Sequence, residues 1–173
     1  MGRGPRYNPA PPKFGPVPIW RLSMKLFRAG HYRSAKALKG LNFMLFKTVL
    51  PPEAIVGDNI RLEHWGMGSG CHPATTIGDN VHIYQHVQIG STARITVEDR
   101  IIIEDDVVIG MGTKIVNSPG HTLVIGRGSQ IGAHSLVTRS VPPYSRVRTT
   151  PSEVTPRTDP EAVAARDGAD ATP

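Results

Sequence analysis

Apolar residues recur every six positions through the middle of the chain, with polar residues filling most of the positions between them. A six-residue period fits neither an amphipathic helix nor a hairpin strand, and it is typical of a solenoid whose hexads each form one strand and a turn. The pattern therefore predicts stacked coils with equivalent isoleucines inside. Ten of the fourteen isoleucines fall on three ladders, namely Ile77, Ile83, Ile89, Ile95 and Ile101, then Ile103, Ile109 and Ile115, then Ile125 and Ile131, with Val137 as the next rung.

The ladder is interrupted in three places, and each interruption predicts an insertion in a coil. Leu62 and Ile77 lie fifteen residues apart, so the irregular segment 64–76 is expected to leave the regular wall. The phase shifts by two residues after the first ladder and slips by four after the second, where residues 117–123 are expected to form a protruding loop. With three hexads to a triangular coil, residues 52–141 make roughly five coils. Such a prism has little interior space, so a site must lie outside it, in a groove between chains of a closed oligomer, most simply a homotrimer.

Two helices are predicted before the ladders, one starting at Ile19 and stopping at residues 29–30, and one from about Arg33 to Phe46. The Pro51-Pro52 pair is expected to end the second helix. The apolar stripes comprise Trp20, Met24 and Phe27 in the first helix and Ala35, Leu38, Leu41 and Leu45 in the second.

The chain accordingly divides into four segments. Residues 1–18 contain six prolines and predict a disordered lead, and residues 19–51 form a basic helical segment. Residues 52–150 form the β-helix domain. The Thr-, Pro-, Ala- and Asp-rich residues 151–173 predict a disordered tail.

Positive charge is concentrated at the N-terminus. Residues 1–50 hold ten Lys and Arg and no acid, whereas the remaining 123 residues hold ten Lys and Arg against fourteen acids. A basic amphipathic arm of this kind could bind a membrane surface, or could simply pack on the end of the solenoid; nucleic acid is not expected as a partner. No stretch approaches the ~18 apolar residues of a membrane span, no signal peptide is recognisable, and the lone Cys71 cannot form an internal disulfide. We expect a cytoplasmic protein.

Two stretches of the chain resemble a known family. PPEAIVGDNIRLEHWGMGSGCHPATTIGDNVHIYQHVQIG (residues 51–90) and IGRGSQIGAHSLVTRSVPPYS (residues 125–145) resemble the serine O-acetyltransferase branch of the hexapeptide-repeat acyltransferases. The similarity covers most of residues 19–150. It implies a mainly β fold, a left-handed parallel β-helix with a short N-terminal helical segment. It also implies acetyl-CoA as the acyl donor and a small hydroxyl compound as the acceptor.

In that branch a histidine preceded by an acidic residue is the general base, and the matching residue is His64. An imidazole suits this role because it accepts a proton near neutral pH. The aspartate that orients the histidine in the family is replaced here by Val49, and Glu63 is a poor substitute because strand neighbours point to opposite faces. The family's second site histidine has no counterpart, and sliding the match by one residue puts Arg100 in its place. Arg100 and His86 are therefore the substrate-binding candidates.

The resemblance also places the pantetheine arm of the donor along the late coils, where small residues allow close approach. Two arginines near the end of the β-helix suit the nucleotide phosphates by charge, although they could equally be ordinary surface residues. The cofactor-binding candidates are Gly110, Met111, Gly132, Ala133, Arg146 and Arg148. By contrast, His72 is expected to be a turn residue, and Cys71 a structural residue rather than a nucleophile.

Other functions compete with serine O-acetylation. The same chemistry could act on a sugar or glycan precursor, and the β-helix could be a non-catalytic binding module. Zinc catalysis of the γ-carbonic anhydrase type is less favoured because the His-x-x-x-x-His pair of that class is missing, so no metal is expected. Serine acetyltransferases that dock cysteine synthase end in isoleucine, whereas this chain ends Ala-Thr-Pro, so that partner is not expected.

Overall fold

The computed structural model describes residues 14–91 and 100–150, which form two helices followed by thirteen short strands. Helix α1 spans Pro16–Arg28 and helix α2 spans Tyr32–Phe46. The strands are β1 (Ile55–Val56), β2 (Arg61–Leu62), β3 (Gly70–Cys71), β4 (Thr75–Ile77), β5 (His82–Ile83), β6 (Gln88–Ser91), β7 (Arg100–Ile103), β8 (Val108–Ile109), β9 (Lys114–Asn117), β10 (Thr122–Ile125), β11 (Gln130–Ile131), β12 (Leu136–Val137) and β13 (Arg146–Val147).

The strands form three parallel sheets that the chain visits in turn. Sheet I has the order β1-β4-β7-β10, sheet II the order β2-β5-β8-β11-β13, and sheet III the order β3-β6-β9-β12. Each coil gives one strand to each sheet, so β1–β3, β4–β6, β7–β9 and β10–β12 are four successive coils, and β13 lies in a fifth. The predicted mainly β solenoid, a parallel β-helix behind a helical segment, is confirmed.

The isoleucine ladders fill the interior of this solenoid. Every rung within the described residues, from Ile77 to Val137, is at most 4% exposed. The register stacks Ile83 on Ile109 and then Ile131, so equivalent rungs meet across three coils. Burying each isoleucine side chain stabilises the fold by roughly 1.5–3 kcal/mol. The rung predicted at Ile95 lies outside the described residues.

Strand register shows how long the insertions are. Ile77 lies opposite Ile103, 26 residues later, so this passage is eight residues longer than three hexads, and it contains the undescribed segment 92–99. Ile101 lies two residues before Ile103 on β7, and both face the interior because alternate strand residues share a face. The loop predicted at residues 117–123 is a turn of only four residues between β9 and β10.

The first interruption is smaller than predicted. Cys71 pairs with Ile89 and lies six residues before Ile77, so it is itself a rung of the ladder. The prediction that the whole of segment 64–76 leaves the wall is therefore wrong. Nine residues rather than six separate Leu62 from Cys71, and the extra residues lie between β2 and β3.

The two helices form a hairpin on the first coil. Helix α1 begins three residues before the predicted Ile19, since proline is well tolerated in the first turn of a helix. It ends at Arg28, as the Ala-Gly pair predicts. Helix α2 ends with Lys47 in the left-handed conformation at φ 56°, so the prolines four residues further on do not end it. The predictions of a disordered lead and tail fall largely on residues 1–13 and 151–173, outside the described residues.

The buried face of α2 differs from the predicted aliphatic stripe. Ala35, Asn42 and Phe46 are buried, whereas Leu41 and Leu45 are 42% and 54% exposed. Hydrogen bonds to α1 determine this rotation: Ser23 Oγ donates to Ala35 O at 2.9 Å, and Asn42 Nδ2 donates to Pro16 O at 3.1 Å. Within the described residues, neither helix has the length and apolar character needed to cross a bilayer.

Trp20 joins the hairpin to the β-helix. Its side chain is 1% exposed within the hydrophobic core, and its Nε1 donates to Pro51 O at 2.8 Å. This contact holds the C-terminal end of α2 close to the first coil, where the candidate catalytic residue lies.

Candidate functional site

One edge of the prism, between sheets II and III, carries most of the predicted site residues. We call it the II–III edge; it comprises residues 63–69, 84–87, 110–113 and 132–135 on the four coils, and continues past β13. Backbone hydrogen bonds link it from coil to coil, with His86 N donating to Met67 O at 2.9 Å, Gly112 N to Gln85 O at 3.0 Å, and His134 N to Met111 O at 2.7 Å.

His64 lies on this edge in the first coil, where the insertion after Leu62 replaces strand with a short turn. His64 and Trp65 both adopt left-handed backbone conformations, with φ of 50° and 58°, which are uncommon for residues other than glycine. The side chain of His64 is exposed and lines an open cleft of about 450 Å³ together with Leu45, Phe46, Lys47, Trp65 and Met67.

Neither Glu63 nor Val49 provides a carboxylate that orients His64. Glu63 lies in the turn rather than on a strand, and its Oε1 is 3.4 Å from His82 Nδ1 and 3.6 Å from Arg61 Nε. Val49 forms a bridge with Gly70 at the end of sheet III, and its side chain is 41% exposed. The stretch of chain that the structure describes places no carboxylate among the residues lining the cleft.

His86 lies one coil beyond His64 on the same edge. It also has a left-handed backbone, with φ of 59°, and its exposed ring lies directly over Gly68, leaving no room there for a β carbon. His134 covers Gly112 in the same way two coils further along. The equivalent corner of each successive coil is left-handed, and it is occupied in turn by Gly68, His86, Gly112 and His134.

The structure does not bring Arg100 to this edge. It is the first residue of β7 and pairs with Thr122 in sheet I. It therefore lies where sheet I begins in this coil, and not at the II–III edge. Because the sequence places the site in a groove between chains, the prediction that Arg100 and His64 contribute to one substrate site stays a prediction.

Most of the predicted donor-binding residues follow one another along the II–III edge. Gly110 packs so closely on the next coil that an added β carbon would lie 2.6 Å from Ala133 N. Gly132 in turn packs against the backbone of residues 147–148, where Arg148 leaves β13. Met111 is exposed on the same edge. Arg146 lies instead in sheet II, paired with Gln130.

The sequence predicts structural roles for Cys71 and His72. Burial raises the pKa of the Cys71 thiol to about 12, so it is not a thiolate at neutral pH. His72 Nδ1 accepts a hydrogen bond from Ala74 N at 3.1 Å, and burial lowers the pKa of its imidazole. The turn predicted at His72 is confirmed by the hydrogen bond from Thr75 N to His72 O at 3.0 Å, and the structural role of Cys71 stays a prediction. Across residues 14–91 and 100–150, the side chains of His, Cys, Asp and Glu assemble no group of three or more suited to a metal ion.

Lys47, Trp65 and Met67 were missed by sequence reasoning. Trp65 and Met67 follow His64 closely and could have been inferred from the insertion itself. Lys47 lies seventeen residues earlier at the end of α2, and tertiary contacts such as the hydrogen bond from Gly68 N to Lys47 O, at 3.1 Å, bring it to the cleft.

A parallel β-helix with a glycine-lined edge and a histidine cleft at one end fits the hexapeptide-repeat acyltransferase class. No family model matches the chain. The sequence is 32% identical over 138 residues to the serine acetyltransferase of Staphylococcus aureus, an alignment that covers 79% of this chain and 62% of that enzyme. The chain thus spans less than two thirds of the length of the relatives it matches.

Solved structures give the same result. A serine acetyltransferase of Brucella abortus in complex with coenzyme A has a TM-score of 0.71 and 29% identity, covering 79% of this chain and 53% of that one. The Neisseria gonorrhoeae serine acetyltransferase in complex with serine has a TM-score of 0.70 and 25% identity, covering 80% and 55%. The resemblance predicted from the sequence is confirmed: the chain is similar to serine acetyltransferases in both sequence and fold.

Proposed function

We propose that this chain is a CoA-dependent O-acetyltransferase that acts on a small hydroxyl acceptor, with His64 as the general base. The observation that carries the proposal is the similarity to serine acetyltransferases over 138 residues. The assignment of His64 rests on the sequence motif and is supported by its position in an open cleft. The similarity favours serine as the acceptor. The composition of the cleft favours a different acceptor.

The reaction needs two proton transfers and one acyl transfer. His64 takes the proton of the acceptor hydroxyl as its oxygen attacks the thioester carbonyl carbon. A carbon–oxygen bond forms, the carbon–sulfur bond breaks, and the CoA thiolate leaves. The proton held by His64 then passes to that sulfur, giving free CoA thiol and an acetyl ester.

The II–III edge suits an elongated donor. From the coil of His64 to the coil of Ala133 there are three strand spacings, about 14 Å. Gly110 and Gly132 add no side chains to this edge, between the exposed side chains of His86, Met111 and His134. The exposed Arg148 lies at the far end of this edge, where it would attract the nucleotide phosphates of the donor.

The proposal includes a homotrimer. The outer face of sheet I carries a row in register across four coils, Ile55, Thr76, Ile102 and Val124, of which Ile55 is 51% exposed. An apolar row of this kind suits contact with a neighbouring chain. Sedimentation equilibrium of the purified chain tests this assembly directly.

The function is tested by incubating the protein with acetyl-CoA and an acceptor panel while following free CoA thiol. Removing a general base costs typically 10²–10⁴-fold in rate, so His64→Ala is expected to lose activity on that scale. His121→Ala is the matched control, because His121 is an exposed histidine in the turn between β9 and β10. Full activity in His64→Ala would refute the assigned role, and the absence of thiol release with every acceptor would refute the function.

A further inference from the structure

We infer that the acceptor is an acidic sugar, meaning a hydroxylated ring that carries a carboxylate or phosphate, rather than a free amino acid. This inference rests on the proposed acyl transfer and specifies its substrate class. It follows from the charge, the aromatic surface and the rigidity of the cleft beside His64.

The described lining of the cleft offers no carboxylate to bind the ammonium group of an amino acid. Within the described part of the chain, its lining contains one permanently charged side chain, the cation of Lys47. Glu63, the acid next to His64, is engaged with Arg61 and His82. The wall formed by α2 contributes Leu45 and Phe46, and this helix carries three cations and no acid, so its net charge is positive.

The position of Lys47 is well defined. It caps α2 in a left-handed conformation, with its N donating to Phe43 O at 3.0 Å and its O accepting from Gly68 N at 3.1 Å. Its Nζ lies 5.7 Å from the centroid of the Phe43 ring. The backbone of Lys47 is thus held at the rim of the cleft, and its exposed ammonium group can attract an anionic substituent while a hydroxyl of the same ligand faces His64.

Trp65 gives the cleft a flat apolar surface larger than serine could use. The indole is 53% exposed, and its ring meets Phe46 edge to face at 5.6 Å and 74°, while Phe46 meets Phe14 at 5.7 Å. Exposed aromatic surface held in one orientation commonly marks a ligand site. The aliphatic C–H face of a sugar ring matches the area of an indole, whereas the side chain of serine has a single methylene.

The experiment measures acetyl transfer from acetyl-CoA to serine, glucose, glucosamine, glucuronate and glucose 1-phosphate, using the full chain. An anionic sugar is expected to exceed serine, glucose and glucosamine by about tenfold or more in kcat/KM. Glucuronate and glucose 1-phosphate distinguish a carboxylate from a phosphate, and preference for either supports the inference.

Two variants test the residues that carry the argument. Lys47→Gln is expected to raise KM for the anionic sugar about tenfold, with little change in kcat and none in KM for glucose. Lys36→Gln, an exposed lysine of α2 outside the cleft lining, is the matched control. Trp65→Ala is expected to raise KM for all the sugars; if it does not fold, Trp65→Phe, which keeps a smaller aromatic face, should give an intermediate KM.

Binding is measured separately from turnover. The chain has two tryptophans, and Trp20 is buried, so quenching of exposed Trp65 by the anionic sugar reports occupancy of the cleft. Quenching without thiol release would refute the proposed function but retain the site. Preference for serine, unaffected by Lys47→Gln, would overturn the acidic-sugar inference and leave the acyltransferase function intact.

Discussion

Three consecutive isoleucines on β7 offer a direct test of the ladder. Ile101 lies between Thr75 and Leu123, and Ile103 between Ile77 and Ile125; both have 0% exposure. The intervening Ile102 is only partly buried on the outer face of sheet I. We propose to replace each isoleucine separately by alanine.

The magnitudes follow from burial. Isoleucine to alanine removes about three carbons, worth about 2.4 kcal/mol at ~0.8 kcal/mol each when fully buried. The remaining cavity raises the usual range to about 2–5 kcal/mol. Ile101→Ala and Ile103→Ala should each lower the free energy of unfolding by that amount, a large share of the roughly 5–15 kcal/mol typical of a folded protein. Ile102→Ala should cost less than about 1 kcal/mol.

Urea unfolding followed by circular dichroism measures these differences, provided that the slope m stays constant. Two protein concentrations are needed because assembly adds to apparent stability. An interface over sheet I would make the cost of Ile102→Ala depend on concentration. The assigned strand phase would be refuted if Ile102→Ala cost as much as Ile103→Ala at both concentrations.

Three further predictions concern local structure. Because the pKa of Cys71 is raised from 9.0 to about 12, iodoacetamide at pH 8 should alkylate the native thiol far more slowly than the urea-unfolded one; equal rates would contradict its burial. The pKa of His72 is lowered in the folded chain, so this residue contributes stability that is fully present above pH 6.5 and is lost as the pH falls. Between pH 7.5 and pH 5 the urea midpoint of the unchanged chain should therefore drop further than that of His72→Ala. Gly110→Ala should lower the free energy of unfolding, measured by thermal denaturation, by about 1–3 kcal/mol, because the added β carbon meets the backbone of the next coil. Gly90→Ala, with open space around it, should show no comparable loss.

The fold could be predicted because a six-residue period has few physical explanations, and its rungs are indeed buried. The lengths of the insertions could not, because phase reveals an insertion only modulo six. The eight extra residues before Ile103 shift the six-residue phase by only two. Counting in sixes from Ile77 therefore leads to Ile95 and Ile101, whereas the strand register pairs Ile77 with Ile103. Periodicity also could not show that Cys71 is a rung, since a free cysteine in a variable segment carries no aliphatic signal.

The candidate site was predictable only in part. His64 and the small residues of the later coils could be identified from motif resemblance, and the coil geometry aligns them on one edge. The orientation of α2 depends on Ser23 and Asn42, polar residues that an apolar stripe ignores. Lys47 reaches the cleft through tertiary packing, for which local sequence offers no sign.

The stacked corners of the II–III edge constrain how the protein can diverge. His86 occupies the space that a side chain at position 68 would need, and His134 does the same for position 112. Enlarging either glycine requires a simultaneous reduction of the residue above it, although the partners are 18 and 22 residues apart in the chain. Mutations that reshape this edge must therefore occur as compensating pairs, and libraries that vary one coil at a time would miss the foldable combinations.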